Sequence, residues 1–349
     1  MKNFLITVLK VGISLAILAY LIVKATNDRA FAELSSQSKD WGVLAAAFAA
    51  FFGNILLCNI RWYYLVRALD LPFTLREAMR LGFLGYLFNL APTGIVGGDL
   101  LKAVMLSRHL GGQRAKAMAS VVADRVIGLY ILFVVASVAI VITRFWRVDP
   151  QIYRIAVGTL ALTAVATLAM AVLFIPGITG GRLTQSLANS SRAGQALERL
   201  ITELRMYQTN LPTLVASGLM TVGVHAFFIL GIYLTARGLY HHVVPLAMQC
   251  VVVPLSGATA VIPLPMGPFE VVLDFLYGRF GLPHQGLIVA LGYRILSVLI
   301  AFVGVCYYLS SRQEVAAVMH EEETQEHEPL DVVPAAPHNL PWSDKGAGD

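Results

Sequence analysis

The chain has 349 residues, 57% hydrophobic and only 13% charged, where a soluble domain carries roughly 25% charged residues. These proportions exclude two soluble domains of ordinary composition and favour one membrane domain, since about 20 apolar residues rising about 1.5 Å each cross a core of about 30 Å. The formal charge of +5 is unevenly placed: His320 to Asp349 hold eight acids against one Lys, leaving 25 basic and 13 acidic residues before them. Such a surplus in a membrane chain marks cytoplasmic loops and anionic headgroups. With no aromatic-basic module beside it, nucleic acid is excluded as a partner.

Six segments read as full spans in an all-α polytopic chain: about 4–23, 41–60, 117–142, 153–175, 213–236 and 287–309. Lys2 and Lys10 precede the first apolar run, and Ala30-Phe31-Ala32 has the small-x-small form of a cleavage site. Lys24, Asp28 and Arg29 stand between run and site, which favours an uncleaved first span over a signal peptide. Arg61-Trp62-Tyr63-Tyr64 closes the second span and reads as a cytoplasmic arginine in an aromatic interface belt, with a headgroup role for Arg61 as the sharper alternative.

Two further apolar stretches, about 81–98 and 246–280, are broken. The first ends in Ala91-Pro92-Thr93-Gly94-Ile95-Val96-Gly97-Gly98-Asp99, and the second carries Pro254, Pro263, Pro265, Gly267 and Pro268 before Glu270. Proline removes a helix donor and glycine loosens the backbone. The freed polar groups cannot face lipid, so each break must be buried in protein or line a watery cavity. Basic residues flank the first stretch on both sides: Arg61, Arg67, Arg76 and Arg80 before it, Lys102, Arg108, Arg114 and Lys116 after it. Both ends are therefore cytoplasmic, and the segment enters and returns. The loop 176–212, with Arg182, Arg192, Arg199 and Arg205, is cytoplasmic too. If the second stretch dips in from the outside, the six crossings leave both termini in the cytoplasm.

Residues 182–208 read as an amphipathic surface helix, which packs on the domain or senses lipid. The chain thus divides into a transmembrane domain, 1–318, and an acidic disordered tail, 319–349. Cys58, Cys250 and Cys306 have neither metal-ligand nor disulfide spacing and read as small buried hydrophobes.

The broken stretches resemble one another. Pro92 precedes Asp99 by seven positions and Pro263 precedes Glu270 by seven; Arg125 follows Asp99 by 26 and Arg294 follows Glu270 by 24. With opposite entry sides, this is the pattern of an inverted repeat, whose paired breaks mark a substrate site. Asp124 and Arg125 lie about 10–12 Å deep in their span, where charges face the protein interior and pair. Helix neighbours diverge by about 100°, so each needs its own partner. Arg294 has Asp99, Glu270 and Asp274 as candidates. For Arg125 and Arg294 the site and ion-pair readings stand side by side; Asp124 leans to the ion pair.

A helix starting after Gly97-Gly98-Asp99 would offer N–H groups to an anion such as lipid phosphate, with Asp99 capping it or pairing with an arginine. Lys102 lies just beyond, and Asn89 is placed to satisfy broken backbone. Glu270 and Asp274 share a helix face, suited to a cation or proton, although Glu270 better suits a basic partner or the cap of its half-helix. His225, alone in mid-span, reads as an interhelical hydrogen-bonder rather than a proton relay. No hydrolase elbow, Walker loop, zinc pattern or dinucleotide fingerprint is present, so no catalytic residue, metal or cofactor is assigned and transport is favoured over enzymatic chemistry.

The ordered set Arg61-Trp62, Asn89-Leu90-Ala91-Pro92, Gly97-Gly98-Asp99-Leu100-Leu101-Lys102, Asp124-Arg125 and Pro263-Leu264-Pro265-Met266-Gly267-Pro268-Phe269-Glu270 resembles the lysylphosphatidylglycerol synthase transmembrane family, a flippase-like membrane domain of bacteria and archaea. The resemblance reaches to about residue 312, although the family often has Arg where Lys102 stands and more Gly in the second turn. It implies a cell-membrane protein that moves or holds a phospholipid or isoprenoid-linked amphiphile. The soluble domain that makes aminoacylated lipid in bifunctional members is not expected in the few residues after the last span. A membrane-embedded transferase with Asp99 or Glu270 as base, and a non-catalytic partner of a lipid- or glycan-modifying enzyme, are the alternatives. The candidate substrate-binding residues are Arg61, Asn89, Gly97, Gly98, Asp99, Lys102, Asp124, Arg125, Glu270 and Arg294. The expected partners are membrane lipids, with a second copy of the chain or a separate enzyme beside them.

Overall fold

The computed structural model describes residues 2–27, 30–90, 97–109, 113–173, 207, 210–262, 264 and 266–327, and among these every regular element is helical. In chain order the α-helices are α1 (Lys2–Asn27), α2 (Ala30–Ser36), α3 (Trp41–Arg67), α4 (Leu75–Leu90), α5 (Gly98–His109), α6 (Arg114–Thr143), α7 (Pro150–Leu173), α8 (Leu211–Leu239), α9 (Leu246–Gly257), α10 (Pro268–Gly278) and α11 (Gln285–His327). Short 3-10 turns, Phe145–Arg147 and Ala258–Val261, follow α6 and α9. Among the described residues five helices are long and apolar enough to cross a membrane: α3, α6, α7, α8 and the first part of α11, Gln285–Arg312. The sixth expected span forms α1, whose Gly12–Asn27 portion is apolar but shorter. The chain is a multi-pass membrane protein.

Local chemistry sets the helix starts. Asp40 accepts from Val43 N–H at 3.0 Å and so caps α3. Thr74 and Glu77 form a reciprocal box at the start of α4: Thr74 N–H donates to Glu77 Oε2 at 2.8 Å and Glu77 N–H to Thr74 Oγ1 at 3.2 Å. Each expected broken stretch holds two helices, α4 with α5 and α9 with α10, the 3-10 turn Ala258–Val261 lying between the latter two. Residues 91–96, Pro263 and Pro265, between the helices of each pair, lie outside the described residues, as do most of 182–208 and the tail beyond His327. After a break at Ser311, φ −124°, α11 continues as helix to His327. Its residues 312–327 are rich in Glu, Ala and Gln, which hold helix well.

The centre of the molecule is the pair α3 and α8. Asp40 N–H donates to Gly238 O, Phe51 lies against Gly231, Leu57 against Gly223, and Arg61 reaches Thr221. Residue numbers rise on one helix as they fall on the other, so the two run antiparallel over their full length. A Cβ at Gly231 would stand 2.5 Å from the Phe51 ring, and one at Gly223 2.8 Å from Leu57. Glycine here lets the backbones close up, the usual basis of helix association in lipid. Around this pair, α4 packs on α3, α5 and α11, and α9 packs on α8, α10 and α6. In turn α5 packs on α6 and α10 on α11. At the rim, α7 is tied to α6 by hydroxyls, Ser137 to Thr163 at 2.7 Å and Tyr130 to Thr167 at 3.2 Å. Cys58 and Cys250 are half-buried, whereas Cys306 is exposed on α11, which corrects its expected burial.

Candidate functional site

At the first break, α4 and α5 approach closely. A Cβ on Gly98 would stand 1.9 Å from Gly85 O, so only glycine fits. Asn89 Oδ1 accepts from Gly98 N–H at 2.9 Å and holds the start of α5 against the end of α4. The first-turn N–H expected to face an anion is therefore spent within the protein at Gly98. Gly97, just before it, is exposed.

Asp99, in the first turn of α5, takes a two-pronged bond from Arg125 on α6: Nε to Oδ2 at 2.6 Å and Nη2 to Oδ1 at 2.7 Å. The Arg125 side chain is 58% exposed. Its neighbour Asp124 points elsewhere, as the helix geometry requires, and accepts from Arg61 Nε at 2.8 Å. Arg61 also donates through Nη1 to Thr221 Oγ1 at 2.8 Å and through Nη2 to Asp124 O at 3.3 Å.

Arg61 is thus no interfacial arginine. Its side chain is 4% exposed and it joins α3, α6 and α8. Trp62 is buried too, with Nε1–H donating to Ser120 Oγ at 3.3 Å, so the reading of Arg61-Trp62 as part of a surface belt is corrected. The physical reason is that α3 extends to Arg67, which places Arg61 two turns inside its helix. Lys102 lies one turn after Asp99, its ammonium 5.3 Å from the Trp62 ring centroid and its stem against Gly85.

The second break carries the same acid–arginine motif in simpler form. Glu270, in the first turn of α10, is 1% exposed and accepts from Arg294 Nε on α11 at 2.7 Å. Its second oxygen accepts from Gly267 N–H at 2.8 Å, so the side chain also caps its own helix. Gly267 has φ +108°, a conformation L side chains rarely adopt, and a Cβ there would meet Ile17 of α1 at 3.0 Å. Asp274 does not join Glu270. It accepts from Leu287 N–H at 3.0 Å and lies 3.5 Å from His284 Nδ1. His225 bonds Gly128 O at 3.0 Å, between α8 and α6.

Asn89, Gly98, Asp99, Lys102 and Arg125 therefore gather at the first break, Arg61 and Asp124 lie in the helix packing beside it, and Glu270 and Arg294 form the second. Sequence reasoning missed Thr221 and Gly85, and read Trp62 as part of an interface belt. Gly85 had a faint signal, since Gly82 and Gly85 stand three apart in a run of large apolar residues; nothing in the sequence marked Thr221. The arrangement offers two arginines, each paired with a resident carboxylate, and one lysine that is in no ion pair among the described residues and stands over the Trp62 ring.

No curated protein matches this chain, and no solved structure does. The family described as the lysylphosphatidylglycerol synthase TM region matches residues 7–304. This span takes in both breaks and every residue of the two clusters, and on that match the chain belongs to the lysylphosphatidylglycerol synthase transmembrane family, as a multi-pass membrane protein related to lipid metabolism or transport.

Proposed function

We propose that this protein is a lipid translocase without its own ATPase, carrying an anionic phospholipid or an isoprenoid-linked amphiphile between two re-entrant breaks related as an inverted repeat. The observation that carries the reading is the recurrence of one device: an acid in the first turn of a half-helix, held by an arginine of the next long helix, as Asp99–Arg125 and as Glu270–Arg294. The packing supports the repeat. With α3 set against its antiparallel partner α8, the contacts α3–α4, α4–α5, α5–α6 and α4–α11 have counterparts in α8–α9, α9–α10, α10–α11 and α9–α6. Paired broken helices at such an interface are where transporters hold their cargo.

The ion pairs have a physical role in this scheme. An arginine alone in a low-dielectric site is costly, so the carboxylate keeps it charged while the site is empty. A passing phosphate then competes for the guanidinium, whose planar fork suits phosphate as well as carboxylate. Asn89, Gly97 and Gly98 shape the first break, and Arg61 with Asp124 fixes the helix that presents Arg125. An embedded transferase using Asp99 or Glu270 as general base has less support, because both carboxylates are already bound by arginine.

The test is reconstitution of the full chain with fluorescent anionic phospholipid and a membrane-impermeant quencher. Movement between leaflets faster than in empty liposomes is expected, falling at least about tenfold in Arg125→Ala, the loss of one charge-assisted contact. No movement above empty liposomes across a broad lipid panel would contradict the proposal.

A further inference from the structure

We propose that the phosphate group of the substrate is held at the first break only, by the Lys102 ammonium together with the outward donors of Arg125, so that the two ends of the lipid path are chemically unequal. This rests on the reading that the breaks line a lipid path, and it names the end where the anion is recognised.

The first observation is the unspent part of Arg125. Nε and Nη2 are bound to Asp99, while Nη1 has no hydrogen bond among the described residues. The side chain is 58% exposed although it lies within α6, a helix able to cross the membrane. An exposed guanidinium at that depth faces a polar cavity rather than lipid, because hydrocarbon would cost it several kcal/mol by any scale, roughly 3 or more.

The second observation is Lys102. No carboxylate lies within ion-pair distance of it among the described residues, and the Trp62 ring at 5.3 Å holds the ammonium without cancelling its charge. It stands one turn after Asp99 on α5, and Asp99 binds Arg125.

The third is the balance of charge. Arg61 is matched by Asp124 and Arg125 by Asp99, so Lys102 is the surplus at the first break. Aligning Pro92 with Pro263 and Asp99 with Glu270 puts Leu273 in the place of Lys102, and Leu273 is fully buried. Aligning Arg125 with Arg294 puts Tyr293 in the place of Asp124. The second break is left with Glu270 and Arg294, which cancel. A phosphate therefore finds net positive charge and a guanidinium 58% exposed at one end, and at the other a neutral pair whose Arg294 is only 24% exposed and aromatic-flanked, where Tyr293 lies against Phe51, Phe228 and Phe269.

The experiment uses the full chain in nanodiscs of equimolar phosphatidylglycerol and phosphatidylcholine, with native mass spectrometry reading the lipid retained. Wild type is expected to enrich phosphatidylglycerol. Lys102→Gln should lose about tenfold of that enrichment, the value of one charge-assisted contact. Lys102→Arg should keep it, which separates charge from packing against Gly85. Arg279→Gln, which removes a cation bound to Asp149 away from both breaks, should also keep it. Equal enrichment by wild type and Lys102→Gln, or none by wild type, overturns the proposal. Inorganic phosphate that fails to displace the lipid assigns the subsite to the headgroup; displacement at comparable concentration assigns it to the free ion, and both outcomes support a phosphate subsite. Lys102-dependent enrichment without leaflet-to-leaflet movement would sink the translocase reading and keep this one, and movement without it would do the reverse.

Discussion

Glu270 accepts from Arg294 on the next helix and from Gly267 at its own helix start, with almost no access to solvent. Replacing it by Ala removes both partners at once and leaves a mostly buried guanidinium unpaired. Loss of one member of a buried pair costs about 3 kcal/mol or more. Thermal unfolding in detergent should therefore fall clearly for Glu270→Ala and recover in part for Glu270→Asp. Arg61→Gln should have a similar cost, because Asp124 and Thr221 lose their shared donor. Charge at these positions was legible in the sequence: acids and arginines deep in apolar segments must pair. Their partners were only half legible. The one-position offset of Asp124 and Arg125 required two partners, and Glu270 was among three candidates for Arg294. The contact between Arg61 and Asp124 spans 63 positions and two helices, and no local pattern encodes it.

At the scale of elements, glycine decides how the halves of each break meet. A Cβ on Gly98 would stand 1.9 Å from a backbone carbonyl, which cannot rotate away, whereas one on Gly85 would meet chiefly the flexible Lys102 stem, with Gly98 O farther off at 3.0 Å. Gly98→Ala should therefore separate α4 from α5 and destabilise by about 1–3 kcal/mol, with Gly97→Ala, which meets nothing within 4 Å, as the mild comparison. Gly267→Ala combines a backbone conformation costing about 1–3 kcal/mol with a contact on Ile17, so it should lower stability and loosen α1. Differential scanning of the variants orders these effects; equal stability for Gly98→Ala and Gly97→Ala would contradict the close-approach account. The helices themselves were readable because apolar runs of span length have one solution in a bilayer. The extension of α3 to Arg67 was not, since its last two turns carry Arg61 and Arg67 and read as a surface end, although packing against α6 and α8 buries Arg61.

Across the whole molecule, the antiparallel pair α3 and α8 and the matching neighbours of the two broken units make one prediction: substrate meets both breaks, and the first recognises its charge. The sequence hinted at this through two matched spacings, Pro92 to Asp99 and Pro263 to Glu270, but the pairing of α3 with α8 depends on long-range contacts that spacing cannot show. The most direct measurement is a density map of the full chain in native lipid. A headgroup between the breaks, its phosphate beside Lys102 and Arg125, is the result expected. Ordered lipid confined to the outer rim around α7, with the space beside Arg125 closed by protein, would contradict it.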